Sequence, residues 1–221
     1  MKLYYAHFSP QARAVLMTIR NLNLEVEIIN VNFQKGENKT EEFTKLNPLQ
    51  QVPILVEDDG FTLTESEAIM AYLVTSRNPN SSLYPINDAM KKALVDERLF
   101  YNATSVFFSH IQILHPMLAS GEASVSNAKI EILRNVLLSL NNFLEGKKWF
   151  TGDDEATIAD LSILSNLIVM MCAGIRIDKY RNLSEWFERC KKLEGFEENY
   201  EGGKIVSGLL KMKNLPPLSQ I

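Results

Sequence analysis

The sequence predicts two structural units, a small α/β domain followed by a larger all-helical domain. Short runs rich in β-branched residues alternate with helical periodicity before residue 78, whereas every segment after Pro85 has helical periodicity alone. Between these regions, the Asn-, Pro- and Ser-rich stretch at 78–86 fits neither pattern and predicts a linker. We therefore expect domains at 1–77 and 87–221.

The α/β domain is predicted to contain alternating strands and helices. Val and Ile enrichment indicates the second strand, and Asp58-Asp59-Gly60 predicts the turn that joins the last two strands. Four apolar residues from Ala12 to Ile19 recur at helical spacing and predict the first helix. The predicted elements are strand 2–6, helix 10–23, strand 25–31, a loop with a short helix at 33–44, strands 54–57 and 61–63, and helix 65–76.

The second domain is predicted to be a helical bundle. Its expected helices cover 88–120 with an interruption near Pro116, then 126–144, 158–173, 183–193 and 196–211. The helix at 158–173 has apolar residues on nearly all sides, which is typical of a helix in the middle of a bundle. Thr157-Ile158-Ala159-Asp160 matches a capping box at its start, so we expect Asp160 to have a structural role.

Composition narrows the function classes. The formal net charge of −4 provides no basic excess for phosphates, which argues against a nucleic-acid partner. No apolar run is long enough to predict a membrane span. The three histidines and the two cysteines, Cys172 and Cys190, lack metal-ligand spacing, so we expect no metal site and a reduced, cytoplasmic protein.

The turn around Ser9 is the most informative part of the chain. Pro10 is a residue type favoured at the first position of a helix, and free N–H groups and the helix dipole stabilise an anion at that end. Redox proteins of the thioredoxin type place Cys-x-x-Cys at such a strand-to-helix turn, but here Ser9 and Ala12 occupy both cysteine positions. We therefore expect a thiolate-stabilising site whose thiol comes from a bound ligand.

Residues 47–53 form a second candidate site. If the Val52–Pro53 bond is cis, the backbone N–H and C=O of Val52 are free to pair with an extended peptide. An ordinary trans proline in a loop is the alternative, because cis X-Pro bonds are a minority in folded proteins.

Glu65 and Ser66 form a third candidate site. Ser66 is predicted to be the N-cap of a helix, where its hydroxyl and backbone N–H suit a carboxylate. Glu65 beside it can accept an ammonium group, so the pair suits the head group of an α-amino acid. Plain helix capping with acidic residues in the first turn is the alternative.

These motifs in this order resemble the cytosolic glutathione transferases, and among them the serine-type insect delta and epsilon classes. Residues 9–15 resemble the family's Ser-x-x-x-Arg-Ala-Val segment, and 47–53 its Asn-Pro-x-x-x-Val/Ile-Pro segment with the cis proline. Residues 65–69 resemble its γ-glutamyl site, and 157–160 its capping box. The resemblance covers nearly the whole chain.

The resemblance implies a thioredoxin-like domain, a helical bundle and a homodimer. Ser9 would stabilise the glutathione thiolate, Val52 would pair with the cysteinyl backbone, and Glu65 and Ser66 would bind the γ-glutamyl group. Glutathione would be a co-substrate, with no permanently bound cofactor. The glutathione-binding residues implied are Asn38, Gln50, Gln51, Val52, Pro53, Glu65, Ser66 and Glu67. For the hydrophobic electrophile we expect a pocket that includes Phe33, Phe107, Phe108 and Ile111.

Three positions depart from the delta and epsilon pattern. Asn38, Gln50 and Glu67 stand where those classes often have basic residues, so we predict weaker glutathione binding than is usual for the family and a divergent or unclassified member. Two functions remain open from the sequence. One is conjugation of glutathione to hydrophobic electrophiles, with peroxidase activity as an addition, and the other is sequestration of apolar ligands by a weakly catalytic binding protein.

Overall fold

The computed structural model describes residues 1–152 and 154–219, so positions 153, 220 and 221 of the predicted helical domain lie outside the described residues. The first part alternates strands and helices, and the second is helical, as the sequence predicts. The elements in order are β1 (Lys2–Tyr5), α1 (Pro10–Asn21), β2 (Glu27–Asn30), a 3₁₀ turn (Glu37–Lys39), α2 (Glu41–Leu46), β3 (Ile54–Val56), β4 (Thr62–Leu63), α3 (Ser66–Arg77), α4 (Ala89–Tyr101), a π-helical turn (Asn102–Val106), α5 (Phe107–Ser120), α6 (Asn127–Phe143), α7 (Ile158–Cys172), α8 (Arg181–Cys190) and α9 (Phe196–Met212).

The sheet has four strands in the order β2-β1-β3-β4. β1 pairs in parallel with β2, with Leu3 opposite Ile28, because α1 provides the crossover connection that a parallel pair requires. β3 pairs antiparallel with both β1 and β4, and Leu55 lies opposite Leu3. Leu3 and Leu55 are fully buried, so the centre of the sheet faces the core.

Helix α1 joins the two parts of the molecule. Its side chains from Ala12 to Ile19 are buried, and it packs against α3 on one side and against α7 and α9 on the other. Arg13 is buried in this interface, where its guanidinium donates to Asn199 Oδ1 at 2.9 Å and to the Ser165 carbonyl at 3.3 Å. The N-terminus of α1 is therefore held at the boundary between sheet and bundle.

The predicted interruption of the long helix near Pro116 is wrong. Helical structure continues through Pro116 to Ser120, and the irregularity is the π-helical turn that begins at Asn102. Proline removes one backbone hydrogen bond, and here the loss falls in the last turns of α5, just before Gly121 ends the helix with φ of 72°. A π-helical turn displaces the following residues around the axis, and such turns are frequent at functional sites.

Helix α7 occupies the middle of the bundle, as predicted, and its residues from Ile158 to Met170 are all buried. The capping box is confirmed: the Asp160 carboxylate accepts from the N–H of Thr157 at 2.8 Å and from its hydroxyl at 3.0 Å. The other oxygen accepts from Phe150 N–H at 3.1 Å and Trp186 Nε1 at 2.9 Å. Burial raises the pKa of Asp160, and these donors oppose the rise because they favour the charged form.

Within the described part of the chain, none of the helices combines the length and the apolar character that crossing a membrane requires.

Candidate active site

Ser9 caps the N-terminus of α1, where the sequence places the anion site. Its Oγ accepts a hydrogen bond from Ala12 N–H at 3.2 Å, and Pro10 occupies the first helical position. The hydroxyl donates to Gln11 Oε1 at 3.3 Å, a long bond that an anionic ligand could replace with a stronger one. The first turn contains no acidic residue, so no side chain of that turn opposes a negative charge in front of the helix.

A cavity of about 1140 Å³ opens in front of Ser9, between the α/β part and the helices. Its apolar walls include three of the four predicted pocket residues: Phe33, Phe107 and Ile111. The structure places the fourth, Phe108, outside the cavity, with 56% of its surface exposed. Adjacent residues of a helix face directions about 100° apart, and here Phe107 faces the cavity whereas Phe108 faces solvent. Further apolar lining comes from Phe8, Ala103, Leu114, Leu118, Val169, Val206 and Leu209.

The Val52–Pro53 peptide bond is cis, which confirms the first of the two alternatives for this segment. Gln51, Val52 and Pro53 all line the cavity. Asn47 Nδ2 donates to the Gln51 carbonyl at 2.9 Å, and this bond fixes the loop that contains the cis proline. Among residues 1–152 and 154–219, no hydrogen bond engages the backbone N–H or C=O of Val52. Both groups therefore remain available to an extended ligand backbone.

The prediction that Ser66 caps α3 is wrong. Glu65 occupies the N-cap position, with the unusual backbone angles φ 66° and ψ 112°, and Ser66 is the first helical residue. Both residues line the cavity. The backbone N–H of Ser66 lies at the positive end of α3, so it still suits a carboxylate, and the Glu65 side chain is exposed. The cap is therefore one residue earlier than predicted, but Glu65 and the backbone N–H of Ser66 can still contact an amino-acid head group.

The Glu67 carboxylate lies between α3 and the helical part. Its Oε2 accepts from the Ser66 hydroxyl at 2.6 Å, and its Oε1 accepts from Ser162 Oγ at 3.0 Å and Asn102 Nδ2 at 3.3 Å. The Ser66 hydroxyl is thus already engaged, which leaves the backbone N–H as the donor at this end of the cavity. Three donors disperse the charge of Glu67, so the extra negative charge beside the site is partly compensated.

Asn38 and Gln50 are not brought to the cavity wall. Asn38 is buried in the 3₁₀ turn, where its Nδ2 donates to the Gln50 carbonyl at 3.1 Å and its Oδ1 has no hydrogen-bond partner. Gln50 has φ of 57°, and its Nε2 donates to Thr44 Oγ1 at 3.3 Å. Both side chains form hydrogen bonds within the loop that precedes the cis proline, and therefore they do not reach the cavity.

Sequence reasoning misses three polar residues in the cavity wall: Asn102, His110 and Asn166. Each is at most 2% exposed. The available signal is Asn166 within the largely apolar helix α7, and the sequence does not indicate which way its amide faces. Burial lowers the pKa of His110 to about 4 from its ordinary value of 6.5, and the positive charge of Arg13 adds to this effect. The imidazole is therefore neutral at physiological pH.

The described residues include no cluster of three or more His, Cys, Asp or Glu side chains that could hold a metal ion. The chemistry of the site rests instead on a hydroxyl at a helix N-terminus, a free backbone edge and a second helix N-terminus, all beside a large apolar cavity. The shape and the donors of this site suit a small anionic peptide next to a hydrophobic molecule.

Comparison with known proteins identifies the class. Residues 1–75 match the family model of the glutathione S-transferase N-terminal domain. Over 217 residues the chain is 36% identical to glutathione S-transferase 1 of Manduca sexta, and the aligned region covers 96% of this chain and 98% of the relative.

Solved structures agree with this assignment. A delta-class glutathione transferase of Nilaparvata lugens superposes with a TM-score of 0.90 at 31% identity, covering 96% of this chain and 99% of that one. An epsilon-class enzyme of Musca domestica superposes with a TM-score of 0.89 at 35% identity, covering 97% and 98%. The chain belongs to the glutathione S-transferase family and is similar to its insect delta and epsilon members. The thioredoxin-like domain and the helical bundle inferred from the sequence are confirmed.

Proposed function

We propose that this enzyme conjugates glutathione to hydrophobic electrophiles through a thiolate that Ser9 stabilises. The observation that carries the proposal is the Ser9 hydroxyl, which caps α1 at the wall of the large apolar cavity. No cysteine stands at this turn, so the thiol must come from the ligand.

The groups around Ser9 are sufficient to lower the pKa of a bound thiol by the required amount. A free thiol has a pKa of about 8.5, so most of it is protonated at neutral pH. Lowering that pKa by roughly 2 units requires about 2.7 kcal/mol. A charge-assisted hydrogen bond from Ser9 and the N-terminus of α1 each supply about 1–2 kcal/mol in a partly buried site.

The rest of the peptide would bind along the wall formed by residues 1–77. Val52 would pair with the cysteinyl backbone through its free N–H and C=O, beside Gln51 and Pro53. Glu65 would accept the γ-glutamyl ammonium, and the backbone N–H of Ser66 would donate to its carboxylate. Asn38 and Gln50 would act indirectly, by supporting the loop, so we expect glutathione affinity at the low end for the family.

The helical part, 87–221, would supply the pocket for the electrophile. Phe107 and Ile111 of this part, together with Phe33 of the α/β part, would form its aromatic and aliphatic walls, which suit a molecule with extended apolar surface. The same arrangement would place an organic hydroperoxide near the thiolate, so we include peroxidase activity in the proposal. The two free thiols, Cys172 and Cys190, support a location in the reducing cytoplasm.

We also propose a homodimer. Met90, Leu94 and Phe100 lie on the outer side of α4 and are 80%, 41% and 71% exposed, and Phe61 of the α/β part is 46% exposed. Apolar side chains at this density on one helix are typical of a surface that a partner covers.

The test is the ultraviolet absorbance of the glutathione thiolate, titrated against pH in the purified protein and in Ser9→Ala. We expect a thiolate band well below pH 8.5 in the natural protein, its loss in Ser9→Ala, and a fall of about 100-fold in kcat/KM.

Ser126→Ala is the matched control, because Ser126 caps α6 through Lys129 N–H and does not line the cavity. Both variants lose an N-cap, at a cost of about 1 kcal/mol, but only Ser9→Ala should lose the thiolate. Absence of the band in the natural protein at saturating glutathione would reject the proposal and favour the ligand-binding alternative.

A further inference from the structure

A chain of hydrogen bonds runs from Glu67 across the domain boundary into the wall of the cavity. Asn102 Nδ2 donates to Glu67 Oε1 at 3.3 Å and to Ser162 Oγ at 2.7 Å. Asn166 Nδ2 donates in turn to Asn102 Oδ1 at 3.1 Å. We call Glu67, Asn102 and Asn166 the amide relay. Its members lie on α3, on the π-helical turn and on α7.

The carboxylate at one end sets the direction of every bond in the amide relay. An ionised carboxylate only accepts hydrogen bonds, so Asn102 must turn its NH₂ group toward Glu67. The carbonyl oxygen of Asn102 then faces Asn166, which must present its own NH₂ group. The Oδ1 atom of Asn166 is left over. A basic residue at position 67 would impose the opposite order.

Asn166 Oδ1 is buried and has no hydrogen-bond partner, and Asn166 lines the cavity. A second acceptor belongs to the same cavity. His110 Nδ1 lies 3.1 Å from the Val106 carbonyl, which cannot donate, so Nδ1 carries the hydrogen and Nε2 is an acceptor. None of the hydrogen bonds within the described chain uses His110 Nε2. An unpaired buried acceptor such as Asn166 Oδ1 destabilises a structure unless a ligand or water donates to it.

We propose that the cavity selects hydrophobic ligands that carry a hydroxyl or N–H donor, whose hydrogen Asn166 Oδ1 or His110 Nε2 accepts, and that Glu67 fixes the Asn166 acceptor through the amide relay. The inference rests on the proposed transferase function and narrows its electrophiles to donor-bearing molecules. Fully apolar or purely carbonyl-bearing molecules would leave both acceptors unpaired.

The test compares two isosteric probes, 4-hydroxybiphenyl and 4-methylbiphenyl, by their displacement of a fluorescent anilinonaphthalene sulfonate from the full-length protein. We expect the hydroxyl compound to bind about tenfold more tightly, the effect of one buried hydrogen bond. The measurement needs neither glutathione nor catalysis. A failure of Ser9 to stabilise the thiolate would therefore leave this comparison intact, and the two proposals can fail separately.

Three variants assign the preference to atoms, and each is first checked for folding by its melting temperature. Asn166→Leu and His110→Phe each remove one acceptor. The single hydroxyl of the probe donates to one acceptor at a time, so we expect the variant that removes this acceptor to lose most of the preference. Glu67→Gln replaces the carboxylate with a group that can also donate, so the amide relay can reverse and the preference should weaken. Val169→Ala is the control from the same cavity wall. It should weaken both probes equally, since it removes only apolar surface.

Equal affinity of the two probes for the natural protein would overturn the proposal. So would a preference that survives in both Asn166→Leu and His110→Phe. An unchanged ratio in Glu67→Gln would overturn the role of the amide relay, and because Gln is isosteric with Glu this variant is the least disturbing to the fold.

Discussion

The two walls of the cavity are built in different ways. On the α/β wall, each functional group belongs to a short segment that also creates its geometry: Ser9 caps the helix that it begins, and Val52 precedes its own cis proline. On the helical wall, the polar atoms are arranged by residues far apart in the chain. Glu67 is 35 positions from Asn102, and Asn102 is 64 positions from Asn166.

The difference separates what is general to the site from what is particular to this chain. Backbone groups and helix N-termini survive most substitutions, so the construction of the α/β wall can be shared by many relatives. The helical wall depends on individual side chains and their orientation, so a change of charge at position 67 would alter which atoms this wall presents to a ligand. Substitutions in local motifs, and substitutions of residues that act across long distances in the sequence, test this distinction.

The largest effect is expected where the helical part itself relies on a local motif. Asp160→Ala leaves the N–H groups of Thr157 and Phe150 and the indole N–H of Trp186 without their buried acceptor. We expect a loss of about 3–5 kcal/mol in the free energy of unfolding, measured by urea denaturation.

Asp154→Ala is the matched control. Its carboxylate is exposed and forms a surface ion pair with Lys91 at 3.3 Å, so its removal should change stability by less than about 1 kcal/mol. A similar small loss in Asp160→Ala would mean that the capping box does not hold the bundle together, and that local motifs in the helical part are weaker than the geometry indicates.

Sequence reasoning predicts a feature best where a motif and its consequence lie within a few residues. It places Ser9 and Asp160 correctly because an N-cap and a capping box are properties of one turn, but it places the cap of α3 at Ser66, one residue after Glu65. For the Val52–Pro53 bond the sequence leaves two alternatives, and only the fold decides between them. Errors arise where direction around a helix decides the outcome: the sequence predicts Phe108 in the cavity and does not indicate the π-helical turn at Asn102. That turn rotates the following residues, and no short pattern reports it.

A smaller effect is expected from His110, and it depends on pH. Below pH 6.5 the unfolded chain takes up a proton on this imidazole whereas the folded chain does not, because the pKa of His110 is lowered to about 4. The free energy of unfolding therefore falls as the pH is lowered from 6.5 toward 4, by roughly 2 kcal/mol between pH 7 and pH 5.

In His110→Phe, the free energy of unfolding should fall much less between pH 7 and pH 5 than it does in the natural protein. Urea unfolding at the two pH values measures the difference. His115→Phe, at an exposed position of the same helix, should retain the full loss because the buried imidazole is still present. If His110→Phe keeps the full loss, then His110 is accessible to protons in the folded state, and the helical wall is less closed than its burial indicates.

The smallest effect is expected at Glu65, where the α/β wall stores strain. A φ of 66° with ψ of 112° is unfavourable for a residue with a Cβ, and strain of this kind is found at functional sites. Glu65→Gly should relieve it and raise the free energy of unfolding by about 0.5–1 kcal/mol, after the entropic cost of glycine, while KM for glutathione rises. Asn23→Gly, at φ of 52° in the turn after α1, should leave KM unchanged. A rise in KM for both variants would mean that added backbone freedom anywhere in the α/β wall weakens glutathione binding. The geometry of this wall would then depend on more than its short motifs.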